Sequence, residues 1–486
     1  MQRVEKLFIG GDWVAPSSGD RIDVISPHSE EIVGSVPEAK KLDVDRAVIA
    51  ARTAFEAGPW SRMAAKERAE LMAKLSSGIQ TRMTELANVI TTEMGSPASW
   101  SLMGQVLSSK MVLDYYVNLA REFPFEELRQ GMLGPSLVRF EPVGVVAAIV
   151  PWNVPLFAIM LKLAPALAAG ATLVVKPAPE TPLDAAILAE LVKEAGFPAG
   201  VANFVPAGRE MGEYLVTHPG VDKVAFTGST AAGRRIAALC GERLRRYTLE
   251  LGGKSAAIVL EDADVAAMVP ALLPAAIMNN GQACIAQTRI LAPRARYREV
   301  VEALAAALRA VPVGDPADPK TVVGPLVAAR QRDRVLGYID AGKKEGARLV
   351  VGGGRPAGLP KGWYVEPTLF ADVDNGMTIA REEIFGPVLV VIPYEGVDEA
   401  VRIANDSEYG LSGSVWTKDV DRGIDIARRV RTGTYTVNGF MMDFGSPFGG
   451  FKASGVGREL GPEGLRAYLE SKSISLPAGT QPKLKS

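Results

Sequence analysis

A chain of 486 residues that is 48% hydrophobic and 22% charged carries ample apolar surface for large cores, and its length suits about two to four domains. Its 54 basic and 55 acidic residues leave a net charge of -1, so steering toward nucleic acid or a membrane surface is not expected. Two cysteines exclude a disulfide framework, and two histidines leave a Cys/His hydrolase and a histidine-rich metal site poorly supported.

The opening, Met1-Gln2-Arg3-Val4-Glu5-Lys6, is followed too soon by Gly10-Gly11-Asp12 to be a signal peptide. No run of about 18 apolar residues occurs, since Lys162 interrupts the best candidate. A cytoplasmic enzyme is the expectation. Residues 7–14 bracket Gly10-Gly11, a hairpin signal. Val44, Ala47, Val48, Ala51 and Phe55 recur at helical spacing and end near Gly58. Two or three helices fill residues 64–119. Residues 143–150 are nearly all apolar, as a strand buried on both faces would be, and end at Pro151-Trp152-Asn153-Val154-Pro155.

A helix from Leu156 stops at Gly170, and residues 171–175 form a short strand ending at Lys176. Thr181-Pro182 is a cap and first-turn signal for a helix that stops at Gly196. Strands are expected over 201–205, 223–226, 246–249 and 256–260, with a helix over 229–239. Such alternation means a parallel sheet wound with helices, in which ligands bind beyond the carboxyl ends of the strands. Asn153, Lys176 and Gly228 all fall just past strand ends. An apolar helix over 270–278 leads to Cys284, and a second α/β set follows. That set has helices at 297–310 and 323–344 and strands at 349–351, 388–392, 413–416 and 434–438. Asp315-Pro316 and Gly352-Gly353-Gly354 are turns. Residues 468–476 alternate as an edge strand does, and an edge at a chain end often pairs with another subunit. Residues 477–486 read as a polar tail.

Cys284 stands among amides and glycine, in Asn279-Asn280-Gly281-Gln282-Ala283-Cys284, where a nucleophile and a small buried residue are both plausible readings. Cys240, before Gly241, reads as core filler. Glu250-Leu251-Gly252-Gly253-Lys254 puts a carboxylate at a strand end before two glycines, suited to a general base or to a surface turn. Asn153, held between prolines, is a candidate oxyanion donor or an Asn bonding its own turn. Phe226-Thr227-Gly228-Ser229 lies between strand and helix, where backbone N–H groups can meet phosphate, although its glycine spacing is not the dinucleotide fingerprint. Lys176 suits phosphate or ribose, or solvent. His28 and His218 read as loop residues.

Six stretches in order, Pro151-Trp152-Asn153, Phe226-Thr227-Gly228-Ser229, Glu250-Leu251-Gly252-Gly253-Lys254, Gly281-Gln282-Ala283-Cys284, Glu383-Ile384-Phe385-Gly386-Pro387 and Pro447-Phe448-Gly449-Gly450, closely resemble the aldehyde dehydrogenase superfamily. The resemblance runs from Leu7 to about Tyr468. It implies that Cys284 adds to an aldehyde carbonyl, that Asn153 and the Cys284 N–H form the oxyanion hole, and that Glu250 activates water against the resulting thioester. It implies NAD as cofactor, with NADP also admitted. Lys176 and Glu383 would be ribose ligands, Ser229 a pyrophosphate ligand, and Trp152 and Phe385 site walls. Ile149, Val150, Pro151, Ala178, Pro179, Gly208, Phe226, Thr227, Gly228, Leu251 and Gly252 complete the expected cofactor contacts, and no metal is expected. Val154, Phe157, Leu161, Met278 and Phe448 match the family's substrate tunnel and are apolar.

By the same resemblance the fold is α/β: a modified Rossmann cofactor domain over 1–121 and 142–249, a catalytic domain over 250–470, and a small β oligomerisation arm over 122–141 and 471–486, giving a homodimer or homotetramer. Pro179 stands where many NAD-preferring relatives carry a ribose-gripping glutamate, and Arg209 is expected near the adenosine end. The product is expected to be a free acid. A non-redox cysteine acyl-transfer or esterase enzyme and a coenzyme A-acylating dehydrogenase are the alternatives; a small-molecule aldehyde is the expected partner.

Overall fold

The computed structural model describes residues 2–484, so Met1 and the last two residues of the expected tail lie outside it. Its centre is a sheet of eight strands. In order these are Gly455–Val456, Arg246–Glu250, Lys223–Thr227, Val145–Ile149, Thr172–Lys176, Ala202–Phe204, Leu7–Ile9 and Asp12–Val14. The five strands from Arg246–Glu250 to Ala202–Phe204 run parallel. Every residue of Val145–Ile149 and Thr172–Lys176 is buried, which accounts for their unbroken apolar character. The helix Pro155–Ala169 between them is buried along its whole length, starts on a proline at its first turn, and ends at Gly170 with φ +89°. The hairpin at Gly10-Gly11 forms as expected, both glycines having positive φ.

A second sheet of seven strands has the order Arg348–Val351, Thr368–Ala371, Val388–Tyr394, Arg289–Pro293, Ala256–Val259, Gly413–Trp416 and Thr436–Val437, parallel except for the first. A third, of three strands, joins Glu126–Gly131, Gly134–Pro142 and Leu469–Ser475. The alternating terminal segment is therefore a strand, but its partner is in its own chain, from Leu469 opposite Pro142 to Ser475 opposite Ser136. Its hairpin tip carries Met132 and Leu133, both fully exposed. A small sheet of Gln2–Arg3, Ile32–Pro37 and Arg21–Ile25, and the helices Arg209–Thr217, Gly396–Asn405 and Val420–Arg429, were not anticipated. Among the described residues no helix is long and apolar enough to cross a membrane.

Two expected boundaries move for identifiable reasons. The helix expected over 323–344 starts only at Ala329. Pro325 disfavours a helical residue before it, and the backbone groups of Gly324, Pro325 and Val327 bond the Asn280 and Gln282 side chains instead. The helix expected to begin at Pro182 spans Leu183–Ala195. Thr181 does not cap it; its hydroxyl donates to the Trp152 carbonyl at 3.4 Å, and the buried Glu93 carboxylate accepts the Leu183 and Asp184 amides.

Candidate active site

Parallel pairing brings four strand ends to one level. Thr227 lies opposite Glu250, Phe226 opposite Ile149, and Ile149 opposite Lys176. Residues just past these ends therefore share one edge of the eight-stranded sheet: Asn153, Lys176, Gly228 and Glu250. Facing them are loops at the opposite, amino-terminal ends of the second sheet. Gly252-Gly253 precedes Ala256–Val259, Cys284 precedes Arg289–Pro293, and Glu383 to Phe385 precede Val388–Tyr394. The Glu383 carboxylate accepts the Gly253 N–H at 2.9 Å. A Cβ on Gly252 would lie 2.6 Å from Glu383 Oε2, so glycine is needed for that approach.

The loop before Cys284 is held by its own amides. Asn279, Asn280 and Gly281 are left-handed, with φ of 52°, 64° and 75°. Asn tolerates that region better than other side-chain residues, and a Cβ on Gly281 would lie 2.2 Å from the Gly386 carbonyl carbon. Asn280 Nδ2 donates to the Gly95 and Pro325 carbonyls at 2.9 and 2.8 Å, and its Oδ1 accepts the Gly324 N–H. Asn279 donates to the Asn153 carbonyl at 2.7 Å, and Asn153 Nδ2 donates to the Gln282 carbonyl at 2.9 Å. That bond uses one of the two Asn153 amide hydrogens and leaves the other free to meet an oxyanion.

Cys284 is half-buried, while Cys240 is buried within the core. Burial pushes the Cys284 thiol far up, and the Glu383 and Glu250 carboxylates add to the effect; its own N–H and that of Ile285 oppose it. Glu250 is buried, and neither of its carboxylate oxygens accepts a hydrogen bond from any described residue. Burial first, and Glu459 second, hold its pKa well above the usual carboxylate range, against the Lys162 and Arg458 cations. The glycine-dense loop closes over it: a Cβ on Gly449 would lie 2.6 Å from Glu250 Oε1, and Gly455 lies opposite Glu250 in the sheet.

Behind Glu250 is a buried ion pair that sequence reasoning missed. Lys162 Nζ contacts Glu459 Oε1 at 2.7 Å and donates to Thr227 Oγ1 at 2.6 Å. Its signal was present as the one ionisable residue in an otherwise apolar helix. Also missed were Asn279, Asn280 and Gln282 as supports of the nucleophile.

The polar groups along the sheet edge suit a dinucleotide. Ser229 caps the helix Thr230–Gly241 by accepting the Ala232 N–H at 3.3 Å, and the helix start provides amides for phosphate. Gly228 leaves no room for a side chain, since a Cβ would lie 2.5 Å from the Phe226 ring. Lys176 is buried and donates to the Pro177 and Ala207 carbonyls at 2.9 and 2.6 Å, with its pKa lowered to about 8 by burial. Glu383 is raised to about 7, again by burial. Lys176, Glu383 and the amides at the start of the helix Thr230–Gly241 are the polar groups that could hold a dinucleotide. Trp152 and Phe385 stand edge to face, ring centres 5.4 Å apart, as a wall between the two sheets. Pro151 is half-buried, Ile149, Val150, Ala178 and Leu251 are buried, and Pro179 is half-buried. Gly208 precedes the helix Arg209–Thr217. Arg209 itself is exposed, and its charge acts on Glu213, one turn on, in a helix whose Gly212 approaches the Lys176 side chain.

Phe157, Leu161, Met278 and Phe448 belong to the large apolar core on this side of the molecule, and Val154 and Cys284 pack against that same core. Phe440, Met442 and Phe444 also pack there, and the Phe157 and Phe444 rings lie 6.2 Å apart. Among the described residues no group of three or more His, Cys, Asp or Glu side chains could hold a metal ion.

The Aldehyde dehydrogenase family model matches residues 13–474, and the chain belongs to that family. Geranial dehydrogenase of Castellaniella defragrans is 53% identical over 475 residues, covering 97% of this chain and 98% of that one. The aldehyde dehydrogenase of Mycobacterium tuberculosis complexed with NAD+ superposes with a TM-score of 0.98 at 51% identity, over 99% of both chains. A mutant aldehyde dehydrogenase C of Pseudomonas syringae, complexed with NAD+ and octanal, gives 0.95 at 42% identity over 98% of both.

Proposed function

We propose that this protein oxidises an apolar aldehyde to the free carboxylic acid with NAD+, NADP+ being admitted as well. The observation that carries the reading is that Glu250, a buried carboxylate that accepts no hydrogen bond from any described residue, lies three residues before Gly253, which packs so close to the Cys284 carbonyl that a Cβ there would lie 2.3 Å from its oxygen. Cys284 adds to the carbonyl carbon and forms a thiohemiacetal. The free Asn153 amide hydrogen and the Cys284 N–H stabilise the oxygen that becomes negative. When bound, the nicotinamide accepts the hydride from the substrate carbon. Lys176 and Glu383 would hold the two riboses, and the amides after Ser229 the pyrophosphate, with Trp152 and Phe385 as walls. Cys284 is then left as a thioester. Glu250 takes the proton of the attacking water, and its raised basicity suits that step better than a surface carboxylate would.

The substrate would be apolar and of the size of geranial or octanal. Val154, Phe157, Leu161, Met278 and Phe448 are all apolar, and of the relatives above one is named for geranial and another is complexed with octanal. We assign the enzyme to the cytoplasm and to a homodimer or homotetramer built on the three-stranded arm. A screen of octanal, geranial, benzaldehyde and a carboxylated aldehyde, with NAD+ or NADP+ and with or without coenzyme A, tests the reading. Free acid and reduced cofactor from the apolar aldehydes without coenzyme A are expected. An absolute need for coenzyme A, or ester hydrolysis without any redox step, would overturn it.

A further inference from the structure

Ser454 Oγ accepts the Gly410 N–H at 3.0 Å and donates to the Gly252 carbonyl at 2.6 Å, which ties the loop before Gly413–Trp416 to the Gly252-Gly253 turn. Gly410 also lines a small cavity, together with Lys254, Ser255, Arg289, Tyr409, Ser412 and Thr432. Its volume of about 10 Å³ suits one atom of roughly the size of a water. Lys254 and Ser255 are 3% and 4% exposed, and neither Lys254 Nζ nor Ser255 Oγ makes a hydrogen bond with any described residue. Arg289 is 2% exposed. Its guanidinium bonds neutral oxygens, the Lys254, Ile403 and Ala404 carbonyls and Asn375 Oδ1, at 2.9 to 3.2 Å. Two cations therefore share a wall on which, among the described residues, no carboxylate stands. Asp406, whose charge reaches Arg289, is paired with Arg381 at 3.0 Å. Glu383, whose charge reaches Lys254, has taken the Gly253 N–H. Burial, and after it the Arg289 charge, lower the Lys254 pKa to about 7. A buried ammonium without an acceptor is costly, and more so beside a second cation.

We propose that this cavity binds a single monatomic anion of the chloride type, to which Lys254 Nζ and Ser255 Oγ donate while the Arg289 charge attracts it. Buried polar atoms that find no protein partner are where a bound water or ion belongs. A water satisfies the two donors but leaves both charges uncompensated, whereas an anion removes the repulsion between them. Phosphate and carboxylate ligands have too many atoms for the volume. The site lies behind the Gly252-Gly253 turn and takes no part in the chemistry at Cys284, so it stands whichever aldehyde and cofactor are used.

Crystals of the wild type soaked in bromide and measured at the bromine absorption edge provide the test. An anomalous peak in contact with Lys254 Nζ and Ser255 Oγ is expected. A water at that place, or bromide confined to the surface, would overturn the proposal. In solution, the urea midpoint of the wild type should be higher in sodium chloride than in sodium gluconate at equal ionic strength. The difference should grow with chloride concentration, as binding to the folded chain alone requires. Lys254→Met should abolish that difference, and Ser255→Ala should weaken the apparent chloride affinity by about tenfold, the scale of one hydrogen bond to a charged group. Should Lys254→Met fail to fold, Ser255→Ala and the bromide peak still decide. A difference that persists unchanged in Ser255→Ala would be a general salt effect and would count against the site. Bromide seen in the soaked crystal with equal midpoints in the two salts would mean an adventitious ion only, and would overturn it as well.

Discussion

A carboxylate that is out of water and accepts no hydrogen bond gives up its proton reluctantly and takes one back strongly; Glu250 is buried and accepts none from any described residue. Glu250→Gln keeps its shape and removes its basicity. One rapid burst of reduced cofactor per site should survive in stopped-flow traces while steady turnover falls by about 10²–10⁴-fold; normal steady turnover would contradict the role. In the wild type both Glu250 and Cys284 must lose protons that burial holds on, so steady turnover should climb as pH rises from 6 to 9. Stability has the opposite trend. The folded chain keeps on Glu250 a proton that the unfolded chain releases near 4.5, so stability falls as pH rises above that value until the folded pKa is passed. Glu250→Gln lacks this loss, and its urea midpoint should gain on the wild type between pH 5 and pH 8. A constant difference would show that Glu250 is not buried as a neutral acid. Cys284→Ala should abolish turnover and keep cofactor binding, whereas Cys240→Ala, a small deletion in the core, should leave turnover nearly unchanged.

At the scale of elements, the parallel strands and buried helices were legible because burial on both faces writes itself as unbroken apolar runs, as in Val145–Ile149 and Pro155–Ala169. That regularity also placed Asn153, Lys176 and Gly228 on one edge. The support of the nucleophile was not legible, since it depends on contacts distant in sequence. Asn280 bonds Gly95 and Pro325, and those same bonds unmake the helix expected from residue 323. Glu93 capping the helix Leu183–Ala195 is invisible for the same reason. The amphipathic helix Val420–Arg429 was missed because only Gly423 and Ile426 are buried in it. Asn280→Ala would strip partners from buried backbone groups at a cost of about 1–3 kcal/mol for each. A clearly lower denaturation midpoint is expected, together with slower alkylation of Cys284 once the loop loosens. A variant as stable as the wild type would show that the loop is held by something other than Asn280.

Across the whole molecule, Asn153, just past a carboxyl end of the eight-stranded sheet, bonds Asn279 and Gln282 in the loop that leads into the second sheet. The strands Glu126–Gly131, Gly134–Pro142 and Leu469–Ser475 form a sheet of their own, and the hairpin tip of Met132 and Leu133 is fully exposed. Replacing both with Ser should lower the assembly state seen by sedimentation and leave cofactor binding intact; an unchanged sedimentation profile would remove the tip from any interface. In the proposed reaction an acyl thioester forms on Cys284, and Glu250 is needed to hydrolyse it. The most direct measurement is rapid quenching of Glu250→Gln mixed with octanal and NAD+, followed by peptide mass analysis. An octanoyl group is expected on the peptide bearing Cys284, in step with one reduced cofactor per site. Reduced cofactor without an acyl group on Cys284, or an acyl group on Cys240 instead, would contradict it.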